Sequence, residues 1–219
     1  MLLREFRLYE LDEIRLVDPE GEAGGLPRIR GHAAVFNTLS EDLGGFREIV
    51  APGAFSDVIR TDDVRALLNH DANLILGRNR AKPEPTLVLE EDATGLRMDI
   101  ATPDTSYARD LVTSMRRGDV SQSSFQFSTL DDKWETRDGM MVRTLLKVRR
   151  LWDVSPVTFP AYPEADSGVR TSLAQIADQG KRAIEELARL GTIALADPDA
   201  WKHEMDRRRR ALDLICAGL

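Results

Sequence analysis

The sequence predicts an α+β fold that is mainly β: an antiparallel sheet closed or nearly closed into a barrel, with helices around it and a helical tail. Three observations carry this expectation. Eight short runs show the partial apolar–polar alternation of half-buried strands, each bounded by turn residues. Only two helical stretches interrupt them, without the strand–helix–strand rhythm of a parallel sheet. Beyond about residue 168 the pattern changes to the 3.6-residue period of amphipathic helices.

The expected strands cover residues 5–16, 28–36, 46–50, 64–69, 86–90, 96–100, 120–129 and 141–154. Ala93-Thr94-Gly95, after the acidic pair Glu91-Asp92, marks a turn. Asp138-Gly139 stands between two strand-like runs and signals a two-residue hairpin, whose central residues need φ > 0. Gly21-Glu22-Ala23-Gly24-Gly25 reads as a hairpin connection rather than a phosphate loop. Alternation in Ser124-Phe125-Gln126-Phe127-Ser128 puts both phenylalanines on one face and Ser124 on the other, an outward polar position.

Two helices are expected within the β-rich part. One is short, over 52–60. The other opens at Asp104-Thr105-Ser106, carries Tyr107, Leu111 and Met115 on one face, and stops at Gly118. In the tail, Leu173, Ile176, Gly180, Ile184 and Leu187 recur at helical spacing. Asp197-Pro198 then reads as an N-cap followed by proline at the first helical position, with Trp201, Met205, Leu212 and Ile215 as a further stripe.

Bulk composition narrows the function classes. With 219 residues, 42% hydrophobic and 31% charged, the chain suits one sizeable globular domain, or one domain with an appendage. Its net charge of -7 resides in the part before residue 171, which argues against a broad phosphate-binding surface, so no nucleic-acid partner is expected. The basic run at Arg207 to Arg210 is flanked by acids and reads as a solvated helix face. No apolar run approaches the roughly 20 residues of a membrane span, and the N-terminus lacks the apolar stretch of a signal peptide, so a cytoplasmic location is expected. Cys216 stands alone near the chain end and offers no disulfide, redox pair or metal site. No cofactor or metal is expected, because the three histidines are widely scattered.

The residues best suited to chemistry are His70, Ser124 and Asp153. An unperturbed imidazole titrates near pH 6.5, so His70, at the end of the run 64–69, can take and return a proton near neutrality. Ser124 supplies a hydroxyl that becomes nucleophilic only when a base removes its proton. Asp153, at the end of a long strand and flanked by apolar side chains, suits the group that orients the base. Ser121, Ser123 and Ser128 compete with Ser124, and His32 is a rival base. His203 lies on the charged tail helix and reads as solvated. For a developing oxyanion, Arg78, Arg149, Arg150 or backbone N–H groups near Ser124 are candidates. A non-enzymatic assembly factor is the alternative reading; a small-ester hydrolase is weaker, since no Gly-x-Ser-x-Gly elbow is present.

As a set, several segments resemble the prohead maturation proteases of tailed bacteriophages. They are residues 31–37, 46–55, Leu68-Asn69-His70-Asp71 with Leu76-Gly77-Arg78, 118–127 with its Ser-Phe-x-Phe ending, and 153–165. The resemblance spans about residues 25–168. It implies a serine endopeptidase with the fold of herpesvirus assemblins, a β-barrel core surrounded by helices. It also implies residence in the immature capsid in the host cytoplasm and cleavage of scaffold or of the scaffold-like arm of the major capsid protein, and often of the protease itself. Self-association as a homodimer is a further implied possibility. By residue, the family's histidine falls on His70, its serine on Ser124 and its third member on Asp153, where many relatives carry glutamate. On this basis residues 1–168 form the protease domain, and 169–219 a helical segment for packaging or self-removal.

Overall fold

The computed structural model describes residues 5–9, 14–18, 25–43, 45–158 and 167–193. In chain order the elements are β1 (Glu5–Tyr9), β2 (Arg15–Val17), β3 (Arg28–Val35), β4 (Phe46–Val50), α1 (Val58–Thr61), β5 (Arg65–Leu68), β6 (Asp71–Arg78), β7 (Leu87–Glu91), β8 (Gly95–Ile100), α2 (Ser106–Arg117), β9 (Gln122–Arg137), β10 (Met140–Val157) and α3 (Ser167–Ile193). The expected mainly β character is therefore present.

The long β9–β10 hairpin organises the larger sheet. It turns at Asp138 (φ 51°) and Gly139 (φ 78°), the left-handed pair anticipated from the sequence. The six-stranded sheet runs β1-β9-β10-β5-β6, with β4 also paired to β10; the second sheet runs β2-β3-β8-β7. Between the sheets the described pairing is a single isolated bridge, Phe36 to Val50. The expected closed barrel does not appear among the described residues, nor is the larger sheet wholly antiparallel. β10 pairs in parallel with β4 at Met141 to Leu145 and with β5 at Asp153 and Val154. Side-chain alternation specifies which face is buried but not which direction a distant strand runs, so these pairings had no local signal.

The core lies between the sheets. Phe125 and Phe127 are fully buried, 4.9 Å apart, and Phe55 meets Phe125 edge-on at 5.3 Å. Such aromatic pairs contribute about 0.5–1.5 kcal/mol beyond their burial. α2 covers this core with Ala108 and Leu111, Tyr107 and Met115 packing at its edge, and ends as expected at Gly118 (φ 81°), whose N–H donates to Met115 O at 3.0 Å. The helix expected over 52–60 shortens to the single turn α1: Gly53 (φ 84°) takes the chain through the left-handed region, and regular helix begins only at Val58.

Arg143 is buried on β10 and gathers acids from three other strands: Glu5, Glu48 (2.9 Å) and Asp132 (2.6 Å). Burial alone would lower its pKa, but the three carboxylates hold it well above the ordinary arginine value. The guanidinium also lies 5.7 Å over the Trp134 ring.

A second, smaller core joins α3 to the hairpin: Leu43, Phe46, Trp134, Ile176 and Ala177. A Cβ placed on Gly180 would lie 2.3 Å from Trp134 Cζ3, so the helix rests on the indole only because that position has no side chain. Ile184 packs at the edge of this cluster, whereas Leu187 is 45% exposed. The side chain of Leu173, the helix expected from Asp197, and with it Trp201, His203, Met205, Arg207 to Arg210, Leu212, Ile215 and Cys216 lie outside the described residues.

Candidate active site

His70 reaches the site from an unusual place. The sequence suggests the end of one strand, but the chain there makes a two-residue hairpin: Leu68 pairs with Asp71, and β6 returns along β5. Asn69 (φ 53°) and His70 (φ 58°) both occupy the left-handed region that a tight hairpin turn requires. Asparagine and histidine enter that region more readily than most residues other than glycine. The hairpin signal was weak because histidine stands where Asn-Gly is usual. Asn69 ties the turn to the end of β10: its N–H donates to Pro156 O at 3.0 Å, and its Oδ1 accepts the Thr158 N–H at 2.8 Å.

The other two groups come from neighbouring strands of the same sheet. Ser155 on β10 lies directly across from Ser124 on β9, and Asp153 lies across from Gln126. Since alternate residues share a face, Ser124, Asp153 and Ser155 all face one side, with Phe125 and Phe127 on the other. β5 runs beside β10 at Asp153, which brings the turn carrying His70 directly over that carboxylate. The adjacent backbones let the shorter aspartate make the contact expected of a longer acid.

His70 Nδ1 lies 2.5 Å from Asp153 Oδ1, and His70 Nε2 lies 2.8 Å from Ser124 Oγ. An ionised carboxylate accepts but does not donate, so Nδ1 carries the proton. In the neutral ring Nε2 is then the acceptor, and the Ser124 hydroxyl donates to it. Asp153 Oδ1 also accepts the Ser155 hydroxyl at 2.6 Å. Asp153 is 2% exposed, as its apolar neighbours in sequence suggested. Ser124 is 1% exposed, not an outward strand position; the turn carrying His70 covers its face of the sheet.

Most of the rival residues are engaged elsewhere. His32 Nε2 meets both carboxylate oxygens of Asp92, at 2.9 and 3.0 Å. Burial pushes the Asp92 carboxyl up, but hydrogen bonds from His32, Gly95 and Thr94 outweigh it and leave its pKa below the ordinary value. Ser123 donates to the backbone carbonyl of His32 at 2.8 Å, and Ser128 is buried further along β9, across from Arg150 rather than beside His70. Arg78 pairs with Asp63 at 2.8 and 2.7 Å, and Arg150 faces Asp62 at 3.6 Å. The Arg78 guanidinium beside Asp63 holds that carboxyl down at about 2. Among the described residues no group of three or more His, Cys, Asp or Glu is placed to hold a metal ion. No described helix is long and apolar enough to cross a membrane.

Sequence reasoning missed Asn69 and Ser155. An asparagine just before a strand-end histidine was the available signal for the first. The second becomes visible only when β9 and β10 are brought into register.

A serine hydroxyl resting on an imidazole that a buried carboxylate holds in turn is the arrangement by which serine proteases activate their nucleophile. The chain belongs to the caudovirus prohead serine protease family, whose model matches residues 13–180. Among solved structures, the bacteriophage T4 capsid assembly protease gp21 is similar at 14% sequence identity, over 72% of this chain and 97% of that chain, with a TM-score of 0.43. No curated protein matches.

Proposed function

We propose that this chain is a serine endopeptidase of capsid maturation, acting inside the immature capsid of a tailed phage in the host cell. Its substrates are the scaffold protein or the scaffold-like arm of the major capsid protein, and the protease itself. Ser124 is the nucleophile, His70 the general base and Asp153 the group that orients the base. The single observation that carries the reading is His70, bonded at one nitrogen to Ser124 and at the other to Asp153.

As Ser124 Oγ attacks the peptide carbonyl, His70 Nε2 takes its proton. Asp153 faces the resulting imidazolium and stabilises its charge. The tetrahedral intermediate collapses when Nε2 returns that proton to the leaving amine, leaving an acyl group on Ser124. Water then repeats the cycle and frees the enzyme. Residues 1–168 constitute the protease domain. The segment 169–219, whose helix α3 seats on Trp134, serves packaging or is removed by self-cleavage.

Co-expression of the full chain with the capsid and scaffold proteins of its own phage, followed by mass measurement, tests this reading. The expected result is shortened capsid or scaffold protein with the wild type and full-length protein with Ser124→Ala. Processing that persists in Ser124→Ala would refute the nucleophile assignment.

A further inference from the structure

The Asp153 carboxylate has a second partner that the reaction scheme does not use. We propose that Ser155 is a positioning residue: its hydroxyl fixes the orientation of Asp153 and, through it, the ring of His70. The inference rests on the protease reading above and adds a fourth side chain to it.

The geometry forces the direction of the bond. Ser155 Oγ lies 2.6 Å from Asp153 Oδ1, the same oxygen that faces His70 Nδ1 at 2.5 Å. An acceptor-only carboxylate leaves the hydroxyl no role but donor. Hydrogen bonds to ionised groups of this length are about twice as strong as neutral ones. Ser155 is 0% exposed, so bulk water does not compete for the bond, and the same burial argues against Ser155 being a second nucleophile.

The carboxylate needs such an anchor. Rotation about the last torsion of an aspartate is broad, without the sharp wells of an sp³ centre. One hydrogen bond to a histidine on a two-residue turn leaves that rotation open. A second bond, from two residues along the same strand, closes it. Because Ser155 sits opposite Ser124, the patch of ladder that sets the nucleophile also sets the anchor.

The test compares rates of covalent labelling of the full chain by a phosphonofluoridate, with the modified residue located by mass spectrometry and folding checked by circular dichroism. Wild type should be labelled at Ser124. Ser155→Ala should be labelled there about 10- to 100-fold more slowly, the range a hydrogen bond to a charged group supports. Ser155→Thr, which keeps the hydroxyl, should recover most of the rate. Ser155→Cys, a weak donor of similar volume, should behave like Ser155→Ala and serves in its place if the alanine variant does not fold. Equal rates in wild type and the variants lacking the hydroxyl overturn the inference while leaving the protease reading intact. A wild type that is not labelled at Ser124 overturns the protease reading, and the inference with it.

Discussion

Asn69 and Thr158, 89 residues apart in sequence, are joined by two side-chain bonds: Asn69 Oδ1 accepts the Thr158 N–H at 2.8 Å, and Asn69 Nδ2 donates to Thr158 Oγ1 at 3.2 Å. This clamp fixes the turn that carries His70 to the end of the strand that carries Asp153. It also separates two roles of one residue. Asn69→Gly removes both bonds but suits the left-handed backbone, whereas Asn69→Ala loses the bonds and adds about 1–2 kcal/mol of backbone strain. Both variants should lose roughly tenfold in peptidase rate, since each lost hydrogen bond is worth about 1 kcal/mol. Urea denaturation should show the alanine variant less stable than the glycine variant; equal stabilities would contradict the strain argument.

Asp153→Asn should be far more damaging than its size suggests. An asparagine can turn its amide N–H towards His70, so that the ring keeps its proton on the nitrogen facing Ser124. In other serine proteases that exchange costs on the order of 10⁴ in rate. Single-turnover cleavage of a capsid-derived peptide should fall by a comparable factor, with the circular dichroism spectrum unchanged. A loss under tenfold would remove Asp153 from the mechanism.

The Asp63–Arg78 pair makes a pH-dependent contribution to stability. Asp63 titrates at about 2 in the fold, against roughly 3.9 in an unfolded chain. Its contribution is therefore complete above about pH 4 and is lost as pH falls towards 2. The pair is well exposed, so salt reduces the effect. In urea denaturation, the stability gap between wild type and Asp63→Asn should be constant between about pH 5 and 7 and should narrow below about pH 4. A gap that widens on acidification would contradict the depressed titration.

Gly180→Ala should loosen α3 from the body. The new Cβ would collide with Trp134 at 2.3 Å, and the indole is itself packed 5.2 Å from Phe46. Overpacking of this kind typically costs about 1–3 kcal/mol. Red-shifted tryptophan emission and faster proteolytic cutting near α3 are the expected readouts; unchanged emission and cutting would show that the contact is not tight in solution.

Much of the site was legible before the fold was known, because its chemistry needs specific residue types. Only three histidines stand in this chain, which narrowed the base to His70 and its rival His32, but Ser124 was picked out from the neighbouring serines, and Asp153 from the many acids, chiefly by the resemblance. The Asp138-Gly139 hairpin and the Gly118 helix stop were legible because positive φ restricts which residues fit. What escaped depends on distance in sequence. β6 was hidden behind a turn without glycine, and the parallel partners of β10 lie about 90 residues from it, with nothing local to mark them. The burial of Ser124 was missed because alternation within one strand says nothing of a turn that covers it from elsewhere.

The hydrogen bonds of His70 span 54 and 83 residues of chain. Loops of that size close late in folding, after local turns and helices have formed. Asp153 lies on the last strand of the described sheets, so a chain still emerging from the ribosome carries His70 and Ser124 before the carboxylate that meets the His70 ring. On the mechanism proposed above, competence for cleavage arrives with the final strand, which would leave a partly made chain poorly armed against the protein of its host.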